Sequence, residues 1–178
     1  MRKIVANLFI TLDGVVESPE RWVSFNNEMG ESINASAAAA DSLLLGAGTY
    51  AVFAASWPQR TSSDDPLAEW INGVPKFVVT SSAEPLEWQN STRLDNAGPA
   101  VRELKQRPGK DILVFGSSTL VRSLLLEGLL DELQLFLHPL VRGPGKRLFE
   151  GVADQVGLAL TGSTRLDNGV LYLTYHPA

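Results

Sequence analysis

The amino-acid sequence predicts an α/β protein with a mixed, mostly parallel sheet whose C-terminal strands are antiparallel. Short apolar runs alternate with helical stretches through the first two thirds of the 178 residues, which is the pattern of parallel sheets with crossover helices. In the last third, leucines at 133, 135 and 137 alternate with other residues, as in a half-buried strand. An Asn-Gly pair at 168–169 then predicts a hairpin. The length suits one domain over residues 1–178.

The individual elements are predicted from apolar runs and from the residues that interrupt them. Runs that stop at glycine, serine or a turn predict strands at 4–10, 42–45, 76–80 and 111–115. Composition and apolar spacing predict helices at 27–41, 49–55, 67–72 and 97–107, and from Leu120 to a C-cap at Gly128. Three strands follow, at 133–138 and on either side of the Asn-Gly turn. Pro139 predicts a bulge or an edge position for the first of these strands.

Composition and charge exclude several classes of function. The 15 Lys and Arg against 20 Asp and Glu give a net charge of −5 without a basic run, which argues against nucleic-acid binding. No apolar stretch is long enough for a membrane span, and no signal peptide follows Met1, so we expect a cytoplasmic protein. With no cysteine and two histidines, no metal site is expected. Any redox chemistry therefore needs a bound cofactor.

The most informative segment is the joint between the strand at 111–115 and the helix that follows it. Gly116 allows a close approach of backbone to ligand, and the unpaired N–H groups of the helix start suit a pyrophosphate. The joint consists of Gly116, Ser117, Ser118, Thr119 and Leu120. The alternative is that Ser117 and Ser118 merely cap the helix.

A second joint of the same form follows the strand at 42–45. It consists of Gly46, Ala47, Gly48 and Thr49. Because ligands of open α/β sheets lie beyond the carboxyl ends of the strands, two such joints can hold the two phosphates of a dinucleotide. Neither joint matches the G-x-G-x-x-G fingerprint, so a standard Rossmann site is disfavoured. Thr80 and Ser81, at the end of the strand at 76–80, supply hydroxyls for an adenosine ribose or form an exposed turn.

Side chains that could serve a substrate are fewer. Glu28 and Glu31 lie one helical turn apart, where a carboxylic acid could protonate a substrate nitrogen, although solvated helix surface is the more common role. Trp22 either stacks on a planar ring or covers the core. His138 is interpreted as a structural hydrogen-bonding residue.

At this level the sequence resembles the dihydrofolate reductase-like superfamily and, more closely, the RibD C-terminal domain of riboflavin biosynthesis. The resemblance implies a three-layer α/β/α fold and NADPH as cofactor. It places the two glycine joints at the cofactor phosphates, Thr80 and Ser81 at the adenosine ribose, and Ala6, Leu12, Asp13 and Gly14 around the nicotinamide. Six segments carry it, in the family's order, at 11–14, 44–50, 76–81, 114–120, 128–133 and 138–149.

Two departures from the family pattern define what the resemblance implies for function. Ala47 stands where folate reductases carry the arginine that pairs with the 2′-phosphate, so NADH is not excluded. The Asp-x-Pro substrate motif of riboflavin reductases is missing, whereas Trp22 and Ser24 match their Trp-Ile-Ser/Thr segment. We expect an NADPH-dependent reductase of a small heterocyclic or sugar-like substrate, similar to 5-amino-6-(5-phosphoribosylamino)uracil reductase. Asp13 or Glu28 would donate a proton or orient the substrate.

Two alternatives remain at this point. One is a non-catalytic nucleotide-binding or sensing module on the same fold, which the missing substrate acid favours. The other is a folate reductase proper, which would use an acid on the first helix, Glu28 or Glu31. The family resemblance also implies a homodimer, and an exposed apolar strand edge at 133–137 would be compatible with one.

Overall fold

A computed structural model describes residues 1–95 and 97–178. Its strands are β1 (Ile4–Thr11), β2 (Ala40–Gly46), β3 (Lys76–Val79), β4 (Ser91–Leu94), β5 (Asp111–Val114), β6 (Glu132–His138), β7 (Leu158–Arg165) and β8 (Leu171–Pro177). Its α-helices are α1 (Asn27–Ala39), α2 (Ala47–Ser56), α3 (Ala68–Gly73), α4 (Ala97–Gln106) and α5 (Ser118–Leu126). A single 3-10 turn covers Pro19–Arg21. No helix in the described ranges is both long and apolar enough to cross a membrane.

The eight strands form one mixed sheet in the order β4-β3-β2-β5-β1-β6-β8-β7. The six strands from β4 to β6 in this order are parallel, and β8 and β7 complete the sheet as antiparallel neighbours. This confirms the predicted mostly parallel sheet with antiparallel C-terminal strands. Since the parallel strands all end on the same side, β2, β5 and β1 bring their C-terminal loops to one edge, where the predicted joints lie.

Helices cover both faces of the sheet, as the three-layer prediction requires. On one face, Ile4 and Ala6 of β1 pack in a core with α4 and α5. On the other face, Val5 packs in a second core with α1, α2 and α3. Because successive side chains of a strand point to opposite faces, burial on both sides demands an apolar residue at nearly every position. That requirement explains the unbroken apolar run of the first strand.

A side-chain cap begins α1, and a glycine ends α5. Asn26 Oδ1 accepts a hydrogen bond of 3.0 Å from the Met29 N–H and so begins α1. After α5, Gly128 adopts φ +66°, which confirms it as the terminating glycine. The Leu129 N–H then donates to the Leu124 carbonyl at 2.8 Å and closes the last turn.

Two predictions about the sheet edges are wrong. The strand at 133–137 is not an edge, because β6 is hydrogen-bonded to β1 on one side and to β8 on the other, and Phe136 is fully buried. Pro139 accordingly follows the end of β6 and occupies no bulge or edge within it. The edge strands are β4 and β7. Of these, β4 was not predicted, since its four residues Ser-Thr-Arg-Leu lack an apolar pattern. The homodimer stays a prediction without this support.

Candidate functional site

The two glycine joints lie against each other at the carboxyl ends of β2 and β5. The Gly46 N–H donates to the Gly116 carbonyl oxygen at 3.0 Å. A Cβ atom on Gly46 would lie 2.4 Å from Ser117 Oγ, and one on Gly116 would lie 2.7 Å from Thr49 Oγ1. Gly116 also has φ +132°, a backbone conformation that side chains disfavour. Both glycines are therefore required by packing, because only bare backbone fits where the two joints cross.

This crossing brings the N-termini of two helices together. α2 begins at Ala47, and its N-cap Gly46 has no side chain to pair with the first N–H groups. α5 begins at Ser118, and Ser117 Oγ accepts from the Leu120 N–H at 3.4 Å, so the predicted capping role of Ser117 is present too. The remaining N–H groups of both first turns lack intrahelical partners and carry the positive ends of two helix dipoles. Together they form a cradle for an anion.

The cradle also has room for a ligand. A Cβ atom on Gly48 would meet no atom within 4 Å, so open space lies over the first turn of α2. Ala47, Gly48 and Thr119 are exposed or partly exposed at the same edge, whereas Leu120 is buried. Backbone amides, open space and glycine-limited packing fit the diphosphate of a dinucleotide.

The other residues predicted to contact a cofactor differ in accessibility. Thr80 Oγ1 accepts from the Ser82 N–H at 3.1 Å, and Ser81 is exposed, so both readings of this segment, ribose hydroxyls and exposed turn, fit the geometry. Leu12 is 62% exposed beyond the end of β1. Ala6, in contrast, has no exposed surface and packs in the core between β5 and β6, which argues against the predicted contact with a nicotinamide.

Asp13 is a structural carboxylate. Thr11 Oγ1 donates to its Oδ1 at 2.6 Å, and the N–H groups of Arg142 and Gly143 donate at 3.0 and 2.8 Å. These donors, the Thr11 hydroxyl above all, hold the pKa of Asp13 well below its usual range. The side chain therefore stays ionised and fastens the loop after β1 to the loop after β6. It cannot serve as the predicted proton donor.

The segment that contains Trp22 and Ser24 is held against the end of the sheet. Trp22 Nε1 donates to the Glu17 carbonyl at 2.9 Å, and its ring meets His138 edge-on with centroids 5.3 Å apart. The Ser24 carbonyl accepts from Asn168 Nδ2 at 2.7 Å. His138 Nδ1 donates to the Phe136 carbonyl, and burial lowers the pKa of its imidazole, so His138 is a neutral, structural residue as predicted. Trp22 thus covers buried structure in this conformation.

A cleft of about 650 Å³ opens beside the cradle, between α1, α2 and the end of β5. Phe115 lines this cleft and directly precedes Gly116, while Phe53 lines it one turn of α2 after Thr49. The cradle and the cleft therefore share a wall. The lining residues are Phe9, Phe25, Asn27, Gly30, Glu31, Ile33, Asn34, Phe53, Trp57, Asp64, Asp65, Pro66, Leu67, Ile71 and Phe115.

The two glutamates of α1 have different surroundings. Glu31 lines the cleft. Glu28 Oε2 accepts from the Asp167 N–H at 2.7 Å and from Asn26 Nδ2 at 3.0 Å, which ties α1 to the β7–β8 hairpin. Among the described residues, Glu31 and not Glu28 is the glutamate at the cleft. Sequence reasoning missed the acids Asp64 and Asp65, since a polar loop between two prolines carries no signal for a cleft wall.

The mostly parallel sheet, its strand order and its helices on both faces are those of the dihydrofolate reductase-like fold. A dihydrofolate reductase from Enterococcus faecalis, complexed with NADP(H), shares the fold with a TM-score of 0.66, at 14% identity over 98% of this chain and 96% of that one. The bifunctional diaminohydroxyphosphoribosylaminopyrimidine deaminase/5-amino-6-(5-phosphoribosylamino)uracil reductase from Thermotoga maritima gives a TM-score of 0.74 at 16% identity. That match covers 99% of this chain and 57% of the Thermotoga chain.

The chain belongs to the RibD C-terminal domain family, whose model matches residues 2–172. The uncharacterized protein YyaP of Bacillus subtilis strain 168 is 29% identical over 182 residues, which covers 98% of this chain and 95% of YyaP. The predicted family is thereby confirmed.

Proposed function

We propose that the protein is a pyridine-nucleotide-dependent reductase that uses NADPH, with NADH as the alternative, to reduce a C=N or C=O bond of a small heterocyclic substrate. One observation carries the proposal: the anion cradle of two helix N-termini shares a wall with a ligand-sized aromatic cleft. The cradle would bind the phosphates of a dinucleotide, and the aromatic cleft would bind a planar substrate. Membership of the RibD C-terminal domain family supports the same function.

The chain's own contribution is to bind, orient and exclude water. The amides of the Gly46 and Gly116 joints would hold the two phosphates of the cofactor, and the adjoining cleft, which begins at Phe115, would hold the substrate. When bound, the reduced nicotinamide supplies the hydride. Holding two reactants side by side in a largely apolar space removes much of the entropic barrier to their reaction.

The remaining chemical need is a proton for the reduced atom, and we assign its transfer to Glu31, whose exposed carboxylate would take the proton up from solvent and pass it to that atom. Its carboxyl group is the one on α1 that lines the cleft, whereas Glu28 is occupied by the Asp167 N–H and Asp13 by three donors. A general acid must lie within reach of the reacting atom, and it contributes typically ~10²–10⁴-fold to the rate. The role first predicted for Glu28 or Asp13 is thus proposed for Glu31.

Calorimetric titration with NADPH and NADH tests the cofactor, and cofactor oxidation over a panel of pyrimidines, pterins and carbonyl compounds tests turnover. With an active substrate, Glu31→Gln should lower kcat by about a hundredfold while NADPH affinity is retained, because the amide cannot donate a carboxyl proton. Glu28→Gln is the competing variant, and a greater loss of kcat in Glu28→Gln than in Glu31→Gln would assign the proton transfer to Glu28. No heat with either cofactor would refute the proposal, and binding without turnover on any compound would favour the sensing module.

A further inference from the structure

We propose that the cleft selects planar nitrogen heterocycles that are neutral or positively charged, and that it rejects phosphorylated ones. This inference rests on the proposed function, since it names the class of substrate that would meet the cofactor there. It also separates this chain from the Thermotoga protein, whose name includes a phosphoribosyl substrate. The cleft's charges, its fixed loop and its aromatic walls carry the inference.

Every ionisable side chain that the described lining contributes to the cleft is a carboxylate. These are Glu31 of α1 and the neighbouring Asp64 and Asp65 of the loop before α3. A phosphate monoester carries close to two negative charges and is recognised in proteins by arginine, lysine or bundled backbone N–H groups. Three carboxylates in one cleft would repel such a group, whereas they would attract a cationic ring.

The two loop acids are locked in place. Asp64 Oδ2 accepts from the Thr61 N–H at 2.8 Å and from Thr61 Oγ1 at 2.9 Å, and these bonds lower its pKa. Asp65 Oδ1 accepts from the Leu67 N–H at 2.9 Å at the start of α3. Asp64 is therefore ionised near neutral pH, and neither carboxylate can swing aside to admit an anion without breaking its turn.

The arginine beside Asp64, Arg60, is already engaged. The Arg60 guanidinium lies 4.6 Å from the centroid of the Trp57 ring, in a cation–π contact, and its charge also favours the ionised form of Asp64. One exposed arginine therefore faces three carboxylates, so the cleft retains a negative balance.

The walls suit a flat ring. Phe53 lies 6.1 Å, centroid to centroid, from both Trp57 and Phe115, and all three rings line the cleft. Aromatic walls favour planar ligands, and their electron-rich faces attract positive charge. Asn27 and Asn34 on α1 add neutral groups that can pair with ring nitrogens or exocyclic oxygens.

Three bicyclic probes of the same shape test the charge preference on the cofactor-free protein: 1-methylquinolinium, quinoline and quinoline-2-carboxylate. Titrations followed by calorimetry and tryptophan fluorescence should rank the affinities cation, neutral, anion. We expect the cation to bind with roughly tenfold or more higher affinity than the anion at low salt, and this affinity ratio to fall at about 0.5 M NaCl as the charges are screened. Glu31→Gln should reduce this ratio several-fold. The matched variant Glu103→Gln, on α4 across the sheet, should leave it unchanged.

A second pair, uridine and uridine 5′-monophosphate, isolates the phosphate; both are titrated with excess inorganic pyrophosphate present to occupy the anion cradle, and the nucleoside should bind about tenfold or more tightly. Equal or tighter binding of the monophosphate or of the carboxylate probe would overturn the inference. So would a cation preference that Glu31→Gln does not change, or the failure of all three quinoline probes to bind. None of these titrations contains cofactor, so the two proposals can fail separately. If the probes do not bind as expected but NADPH binds, the charge preference is refuted and the proposed reductase stands. If the probes bind as expected but NADPH and NADH do not, only the reductase is refuted.

Discussion

The contact between the two glycine joints allows the cradle to be tested by adding one methyl group. Gly46 has φ −76° and ψ 159°, which alanine adopts without strain, so the effect of Gly46→Ala comes from contacts alone. The new Cβ would lie 2.4 Å from Ser117 Oγ, 3.0 Å from the Ser117 backbone nitrogen and 3.1 Å from Ser117 Cβ. The hydroxyl can rotate away, but the backbone nitrogen cannot.

The magnitude follows from these distances. Rotating Ser117 Oγ away removes the cap of α5, which contributes about 1 kcal/mol or less at its 3.4 Å length. Separating the joints by a few tenths of an ångström adds roughly 1–3 kcal/mol of overpacking. A total of about 1–4 kcal/mol lowers the melting temperature of a chain this size by roughly 2–16 °C. NADPH affinity should fall by about tenfold or more, because the phosphate-binding amides move apart.

Gly48→Ala, two residues along the same joint, is the matched comparison. Its methyl group meets nothing within 4 Å, and alanine in a helix is about 0.5–1 kcal/mol more stable than glycine. The two variants should therefore shift the melting temperature in opposite directions while both weaken NADPH binding, since the Gly48 methyl enters the space proposed for the cofactor. Calorimetry and thermal denaturation measure both quantities. If Gly46→Ala melts within about 1 °C of the wild type and binds NADPH normally, the reasoning about the crossing is wrong.

Two further predictions concern buried polar groups away from the cradle. Lys76→Met should lower the free energy of unfolding by about 3 kcal/mol, since a hydrogen bond to a charged group contributes roughly 1.5–3 kcal/mol. Urea denaturation measures this loss, with the exposed Lys146→Met as the control variant. Equal urea midpoints for the two variants would contradict the prediction. The fully buried Lys76 ammonium donates, at 2.9 to 3.2 Å, to the carbonyls of Asn72, Val74 and Gln89. His138→Phe should flatten the loss of stability below about pH 6.5, because burial lowers the His138 pKa and only the unfolded state takes up the proton there. Unfolding free energies of both proteins at pH 7 and 5 check this, and identical pH slopes would refute it.

The sequence predicted features that depend on neighbouring residues, and it did not predict features that depend on tertiary contacts. The two glycine joints were recognisable because glycine, hydroxyl residues and a helix start follow a strand within a few positions, as at Gly46 and Gly116. β6 was recognised as a strand, but its neighbours β1 and β8 are set by tertiary pairing, so its assignment as an edge was wrong. β4 has neither apolar periodicity nor turn signals, and its pairing with β3 is visible only in the fold.

The cradle and the cleft differ in the same way, and this explains why the cradle could be predicted from the sequence and the cleft could not. The cradle consists of backbone amides, whose positions follow from two short segments. The cleft draws Phe9, Glu31, Trp57, Asp64 and Phe115 from five separate segments of the chain, and of these only Glu31 was singled out from its sequence neighbourhood. A site made of backbone can accept one cofactor while every side chain across the shared wall changes. On the proposed function, we therefore expect the charge of the cleft, rather than the fold, to distinguish the substrate of this chain from those of its relatives.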